Sequence, residues 1–320
     1  MFRVILKGVF TNNFHVLPWR LLGAALALAA VIGCNTGGQG NSAIEICNLF
    51  RDVGKTDKTS VSDYESLIFK SGNAEIYGQI LKPDRMYGKN RPCVLLFHGF
   101  AGFARFDDLA QALCRAGCVV VIPHHRGAWG SRGRYLISNC VEDAMNLVNY
   151  VRSPQFVRRC GIDGNAIFLV GHSMGGNTVL NAAGFVDGVC GVVLLDPCDI
   201  GSMVKHGTPV AIKQFLVENG LDVLNTDGVD ALYSDLIVHA QDYSFPIAVA
   251  RLRGTSLFLA NAEWGIDEKG KFLSSFCSAL KQNANIKFGV CKTYKGCHGL
   301  MGERIAITHD IAEFISQCLK

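Results

Sequence analysis

The residues best suited to chemistry lie in Gly171-His172-Ser173-Met174-Gly175, a G-x-S-x-G pattern. It follows the apolar run Ile167-Phe168-Leu169-Val170 and precedes a segment with helical spacing. That strand–turn–helix context is what lifts a serine hydroxyl into the open. The glycines have a steric purpose, because side chains two before and two after the serine would strike neighbouring backbone in so tight a turn. Oγ of Ser173 then stands at a helix N-terminus, where the dipole and free amides favour developing negative charge. The chemistry this suits is nucleophilic attack on a carbonyl through an acyl intermediate.

Such a nucleophile needs a base, a carboxylate to orient the base, and donors for an oxyanion. His298 is the expected base. It follows the strand Lys287–Tyr294 through Lys295-Gly296-Cys297, which gives the chain order serine, acid, histidine. Other histidines suit the role less: His124 and His125 end a strand, His239 lies in a helical region and His309 on the last helix. The turn His98-Gly99-Phe100 after the run PCVLLF is the expected second half of the oxyanion hole. The backbone N–H groups of Phe100 and Met174 would be its donors, with His98 structural. The acid has three candidates. Asp196 follows the strand Val189–Leu195, while Glu263 and Asp267 follow the strand Ser256–Leu259. A cap expected over residues 200–255, with Phe100, Phe103, Trp129 and Trp264, is the candidate for an apolar acyl pocket; the four side chains are equally candidates for the core.

These groups need a scaffold, and the chain alternates strand and helix. Glu65–Phe69 and Ala74–Leu81 read as a hairpin. Short apolar runs at Pro92–Phe97, Cys118–Pro123, Ala166–Val170, Val189–Leu195, Ser256–Leu259 and Ile286–Tyr294 read as buried strands. Helical spacing falls at Phe106–Ala116, Val141–Val151, Thr178–Ala183, Lys271–Lys281 and Arg304–Cys318. The expected fold class is α/β, with a mostly parallel central sheet and helices on both faces. Residues 200–255 break the rhythm with mixed-polarity helical sequence. They are expected to form a small helical cap over the sheet's C-terminal edge.

The 320 residues carry a net charge of +4, with 49% hydrophobic and 18% charged side chains, which excludes disorder as the main state. The first 34 residues hold Arg3, Lys7 and Arg20 and no acid, leaving 28 basic and 27 acidic side chains in the rest. A nearly neutral body without basic clusters argues against a nucleic-acid partner. Leu21–Gly33 has the length of a signal-peptide apolar core and is too short to span a bilayer. It ends at Val31-Ile32-Gly33-Cys34, similar to a bacterial lipobox. The expectation is an exported protein, periplasmic or held at a membrane by a lipid on Cys34; an ordinary signal peptide is the other reading. Domain expectations are a leader over 1–34, a polar tether over 35–60 and a catalytic domain over 61–320. The 13 cysteines suggest zero to three disulfides, with Cys93, Cys190 and Cys291 in apolar runs as small buried hydrophobes. No metal-ligand spacing occurs, and no cofactor or metal is expected.

From about residue 62 to 318 the chain resembles the α/β-hydrolase superfamily, in particular bacterial serine esterases and related peptidase-like hydrolases. The resemblance rests on Phe97-His98-Gly99, on Arg126-Gly127-Ala128-Trp129-Gly130-Ser131 with Glu142-Asp143, on Gly171–Gly176, and on His298 followed by Arg304-Ile305-Ala306. Asp196-Pro197 is similar to chlorophyllases and platelet-activating-factor acetylhydrolases, where the acid follows the earlier strand; the resemblance therefore implies Asp196. It implies hydrolysis of a small-molecule or lipid carboxylic ester, with peptide or amide hydrolysis, or binding without catalysis, as the alternatives.

Overall fold

The structure, a computed structural model, describes residues 43–53, 61–266 and 271–320. The expected leader with Cys34, most of the expected tether, and Asp267 lie outside the described residues. The described residues all belong to one unit, Gly38–Lys320. Among them, no helix is long and apolar enough to cross a membrane.

The chain opens with the expected hairpin, β1 (Asp63–Ser71) and β2 (Ala74–Lys82), in antiparallel register from Asp63↔Lys82 to Ser71↔Ala74. Gly72 closes the turn at φ +57°, a conformation that costs glycine nothing. Then come β3 (Arg91–Phe97), β4 (Val119–Pro123), β5 (Ile162–His172), β6 (Val189–Leu195), β7 (Ser256–Trp264) and β8 (Gly289–Cys297). The eight strands form one sheet in the order β1-β2-β4-β3-β5-β6-β7-β8. Strands β3 to β8 run parallel, and β2 joins β4 antiparallel. Every residue of β3 and β4 is buried, as their unbroken apolar runs require of strands covered on both faces.

Helices connect the parallel strands, α1 (Asp107–Arg115), α2 (Ile137–Val151), α3 (Pro154–Cys160), α4 (Met174–Phe185) and α9 (Lys271–Gln282), and α10 (Arg304–Cys318) follows β8. Two cores result. One lies on the face covered by α2 and α4, with Leu147, Val179 and Leu180; the other lies under α1 and α10, with Leu113, Ile311 and Phe314. Between β6 and β7 come four helices, α5 (Ile200–His206), α6 (Pro209–Glu218), α7 (Val229–His239) and α8 (Phe245–Arg251). Of these, α7 packs on α2 and α8 on α4, whereas α5 and α6 stay beside the ends of the strands.

Several details depart from the sequence reading. Residues 43–53, expected within the tether, pack on the body: Ile44 and Leu49 are buried, and Leu49 O accepts from Arg115 Nη2 at 2.6 Å. Helix α3 was not expected, although Ser153 caps its start, Pro154 is its first residue and Gly161 ends it at φ +66°. Cys291 is not a small buried hydrophobe; it forms a disulfide with Cys277 that ties β8 to α9. Cys93 is fully buried as expected, whereas Cys190 is only partly covered. Arg126 and Asp143, from two of the quoted motifs, form a buried pair, with Arg126 Nε 3.1 Å from Asp143 Oδ1 and Arg126 Nη2 3.1 Å from Ser71 Oγ. They tie the hairpin and the loop after β4 to α2, a structural role.

Candidate active site

The sheet delivers its site residues at the C-terminal ends of its parallel strands, where such folds place ligands. β5 ends at His172, α4 begins at Met174, and Ser173 makes the whole turn between them at φ +54°, ψ −120°. A non-glycine residue held there costs of order 1–3 kcal/mol and persists only where its surroundings fix it. Ser173 N–H donates to Leu195 O at 3.0 Å, and Ser173 O accepts from Gly176 N at 2.9 Å and Cys198 N at 3.0 Å. The glycines are needed for the reason the sequence suggested. A Cβ on Gly171 would run into the carbonyl oxygen of Gly175, and one on Gly175 into those of Phe97 and His98.

Of the candidate carboxylates among the described residues, Asp196 is the one in contact with His298. His298 Nδ1 lies 2.6 Å from Asp196 Oδ2. Asp196 is 1% exposed and bent to φ +39°. Its Oδ1 accepts from Ala262 N at 3.0 Å and its Oδ2 also from Ile266 N at 3.2 Å. Both carboxylate oxygens therefore accept from backbone amides, and Oδ2 faces the His298 ring as well. Gly265 belongs to this arrangement, since a Cβ there would collide with the Asp196 carboxyl group. With both Asp196 oxygens accepting from amides, Nδ1 of His298 is the donor in its contact with Oδ2, and Nε2 is the nitrogen left to face the serine side. Glu263 does not take this place. β7 runs on to Trp264, past the expected end at Leu259, and leaves Glu263 exposed at its tip.

Met174 follows the serine directly, and Gly99, the residue before Phe100, packs against it, since a Cβ there would come within 2.9 Å of Ser173 Cβ. The Phe100 ring turns inward against Tyr135, 5.7 Å between centroids. Among the described residues, neither the Phe100 nor the Met174 N–H has an acceptor. Two free donors beside a strained serine are what an oxyanion requires.

Four other histidines surround the site. His98, expected to be structural, bonds Gly99 O through Nδ1 at 2.7 Å, and its own carbonyl contacts His125 Nε2 at 3.0 Å. Burial pushes His125 and His172 down to about 4, lowers His98 well below the usual value, and lowers His124 as well. All four stay neutral near pH 7. The His172 ring lies 4.5 Å from that of His298, and its Nε2 contacts His298 O at 2.9 Å.

The expected aromatic pocket is not assembled. Phe103, Trp129 and Trp264 are 61%, 47% and 63% exposed. Phe103 and Trp129 stack edge-to-face on each other, and Trp129 Nε1 donates to Ala101 O at 2.7 Å. Instead, a cavity of about 450 Å³ opens between the loop after β6, helices α5 and α6, and the end of β7. Its apolar wall comes from Pro197, Met203, Ala211, Ile212, Phe215 and Ile266. The sequence reading expected residues 200–255 to help form an apolar pocket but named none of these lining residues, because the walls come from distant segments.

Residues 88–218 match the family model described as serine aminopeptidase, S33. Among solved structures, the chain is similar to the Est1E protein from Butyrivibrio proteoclasticus, at 16% identity and TM-score 0.60, covering 79% of this chain and 98% of that one. It is similar to a Pyrobaculum calidifontis esterase, at 18% identity and TM-score 0.59, over 80% of this chain and 86% of that one. The chain has the α/β-hydrolase fold. A third similar α/β-hydrolase structure is dipeptidyl peptidase 4 from Porphyromonas gingivalis, at 20% identity and TM-score 0.58, over 80% of this chain and 35% of that one. No curated protein sequence matches. The family match and these neighbours together support a hydrolase.

Proposed function

We propose that the protein is a serine hydrolase of carboxylic esters, with Ser173 as nucleophile, His298 as general base and Asp196 as the acid that orients it. The observation that carries this reading is the 2.6 Å contact of His298 Nδ1 with the buried Asp196 carboxylate, at the strand ends that also present Ser173. Nε2 of His298 takes the proton of Ser173 Oγ as that oxygen attacks the ester carbonyl carbon. The Phe100 and Met174 amides hold the resulting oxyanion. Collapse expels the alcohol, which receives the proton from His298, and leaves an acyl group on Ser173. Water, deprotonated by the same Nε2, then attacks the acyl-enzyme and frees Ser173.

Peptide or amide hydrolysis is the second reading, favoured by the family description. An enzyme that trims free N-termini needs an anion to hold the substrate ammonium. Of the two carboxylates that line the cavity, Asp196 is engaged with His298, and Asp199 caps α5, where it accepts from Gly201 N at 3.0 Å and Phe245 N at 3.3 Å. This favours a neutral, apolar ester. The protein is further proposed to be exported and lipidated on Cys34, which radiolabelled palmitate incorporation, lost in Cys34→Ala, would test. The function is tested with a panel of p-nitrophenyl esters against aminoacyl p-nitroanilides. The reading expects ester hydrolysis that Ser173→Ala abolishes without unfolding the protein. Turnover of the anilides alone would replace it with the peptidase reading.

A further inference from the structure

We propose that the cavity between α5, α6 and the loop after β6 is the binding site for a straight apolar chain of the ester, on the order of ten carbons long. This rests on the proposed ester hydrolysis and names its substrate class. Two contacts place the cavity beside the reacting centre. Asp196, which holds His298, also lines it, and the next residues, Pro197 and Cys198, form its floor. Cys198 N–H donates to the carbonyl of Ser173 at 3.0 Å, so the floor begins one hydrogen bond from the nucleophile. Ile212 is buried at the back, while Phe215 and Ile266, at 44% and 48% exposed, stand at the open mouth.

The chemistry of the walls selects the ligand. Asp199 is capped by backbone amides, and burial pushes the Cys198 thiol up to about 12, so neither offers a charge to a polar ligand. The remaining surface is mostly apolar, with Ser202, His206 and Asn261 as its polar members. At about 450 Å³ the cavity is about three times the size of an engineered one that takes a benzene ring. It lies within the ordinary range for small-ligand sites. Each methylene buried there raises kcat/KM by up to about fourfold.

The test uses two substrate series on the full chain. One lengthens the acyl group of p-nitrophenyl esters from acetyl to hexadecanoyl; the other keeps acetate and lengthens the alcohol. In wild type, kcat/KM rises with chain length in one series and levels off near ten carbons. Ala211→Trp, on the exposed face of α6, narrows the cavity and lowers the long-to-short ratio by more than tenfold. Phe215→Ala moves the optimum to longer chains. The series that responds says whether the chain is acyl or alcohol, and either supports the site. A ratio unchanged by both variants, in both series, overturns it. Fluorophosphonate labelling of Ser173 in the same samples separates this failure from failure of the hydrolase reading.

A different observation carries a second inference: we infer that His172 is a positioning residue for the loop that bears His298. His172 is 2% exposed, and its neutral ring has one proton, which the carbonyl partner places on Nε2. That N–H holds His298 O at 2.9 Å, while Arg304 Nη2 holds the next carbonyl, Gly299 O, at 3.0 Å. Arg304 in turn lies over the Phe106 ring, 3.6 Å from its centroid, and Phe106 packs 5.0 Å from His172. The comparison of His172→Phe with His172→Gln tests this. A positioning role predicts that Phe, which keeps the ring, lowers kcat at least tenfold at constant KM, and that Gln, which keeps a donor, restores most of it. If Phe is as active as wild type, or Gln is the worse variant, His172 only packs.

Discussion

The turn around Ser173 and the wall formed by α5 and α6 sit side by side yet are built on opposite terms. At the turn, every residue from Gly171 to Gly176 is buried, and added methyl groups at Gly171 or Gly175 meet main-chain atoms that cannot move aside. On the wall, Ser202, His206, Ala211 and Phe215 are exposed, and what they face is open space. Backbone thus fixes the chemistry, whereas replaceable side chains shape what reaches it. Most substitutions at the turn should therefore abolish function, and most on the wall should redirect it.

The largest expected effect is at the turn. Gly175→Ala should cost about 3 kcal/mol or more, because the strand ends must part to admit it, and hydrolysis should vanish. Urea unfolding beside an ester assay checks both. Next is Asp196→Asn, which keeps the shape but reverses the hydrogen-bond demand on His298; a loss of about 10⁴ in kcat is expected with little change in melting temperature. A melting temperature that collapses would mean that Asp196 chiefly holds the strand ends together. Smaller again is the pH response. Burial depresses His125 and His172 from the usual 6.5 to about 4, so the unfolded chain binds more protons between those values. Their contribution is fully present above pH 6.5 and is lost as the pH falls towards 4. That loss is on the order of 3 kcal/mol for each of these buried groups. Melting curves from pH 7 to 4 should show it, and His125→Phe should flatten the slope. The smallest effects belong to the wall and the neighbouring surface. Ala211→Leu should change stability by within about 0.5 kcal/mol. Glu263→Gln should leave kcat within about twofold, whereas a large loss would restore Glu263 as the acid.

The same contrast explains what the sequence made legible. The turn could be read because its constraint is local: glycines at fixed offsets from a serine, directly after an apolar strand. That His298 stands beside a carboxylate fits its place after the last strand. Which carboxylate meets His298 was not legible, because the choice between Asp196 and Glu263 depends on how far β7 extends and on Gly265 making room for the Asp196 carboxyl group. The aromatic pocket was misplaced because Phe103 and Trp129 satisfy each other at the surface. The cavity that takes its place is formed by residues 196–215, 261 and 266, whose meeting no local pattern announces. The Cys277–Cys291 bridge is nonlocal in the same way, joining a helix to the following strand.

The central claim is that Ser173 becomes acylated with His298 and Asp196 behind it. Peptide mapping by mass spectrometry after treatment with a fluorophosphonate tests this most directly. The account predicts one phosphonyl group on Ser173, formed quickly in wild type, far more slowly in Asp196→Asn, and not at all in Ser173→Ala. A label on another residue, or ester hydrolysis that persists in Ser173→Ala, would contradict it.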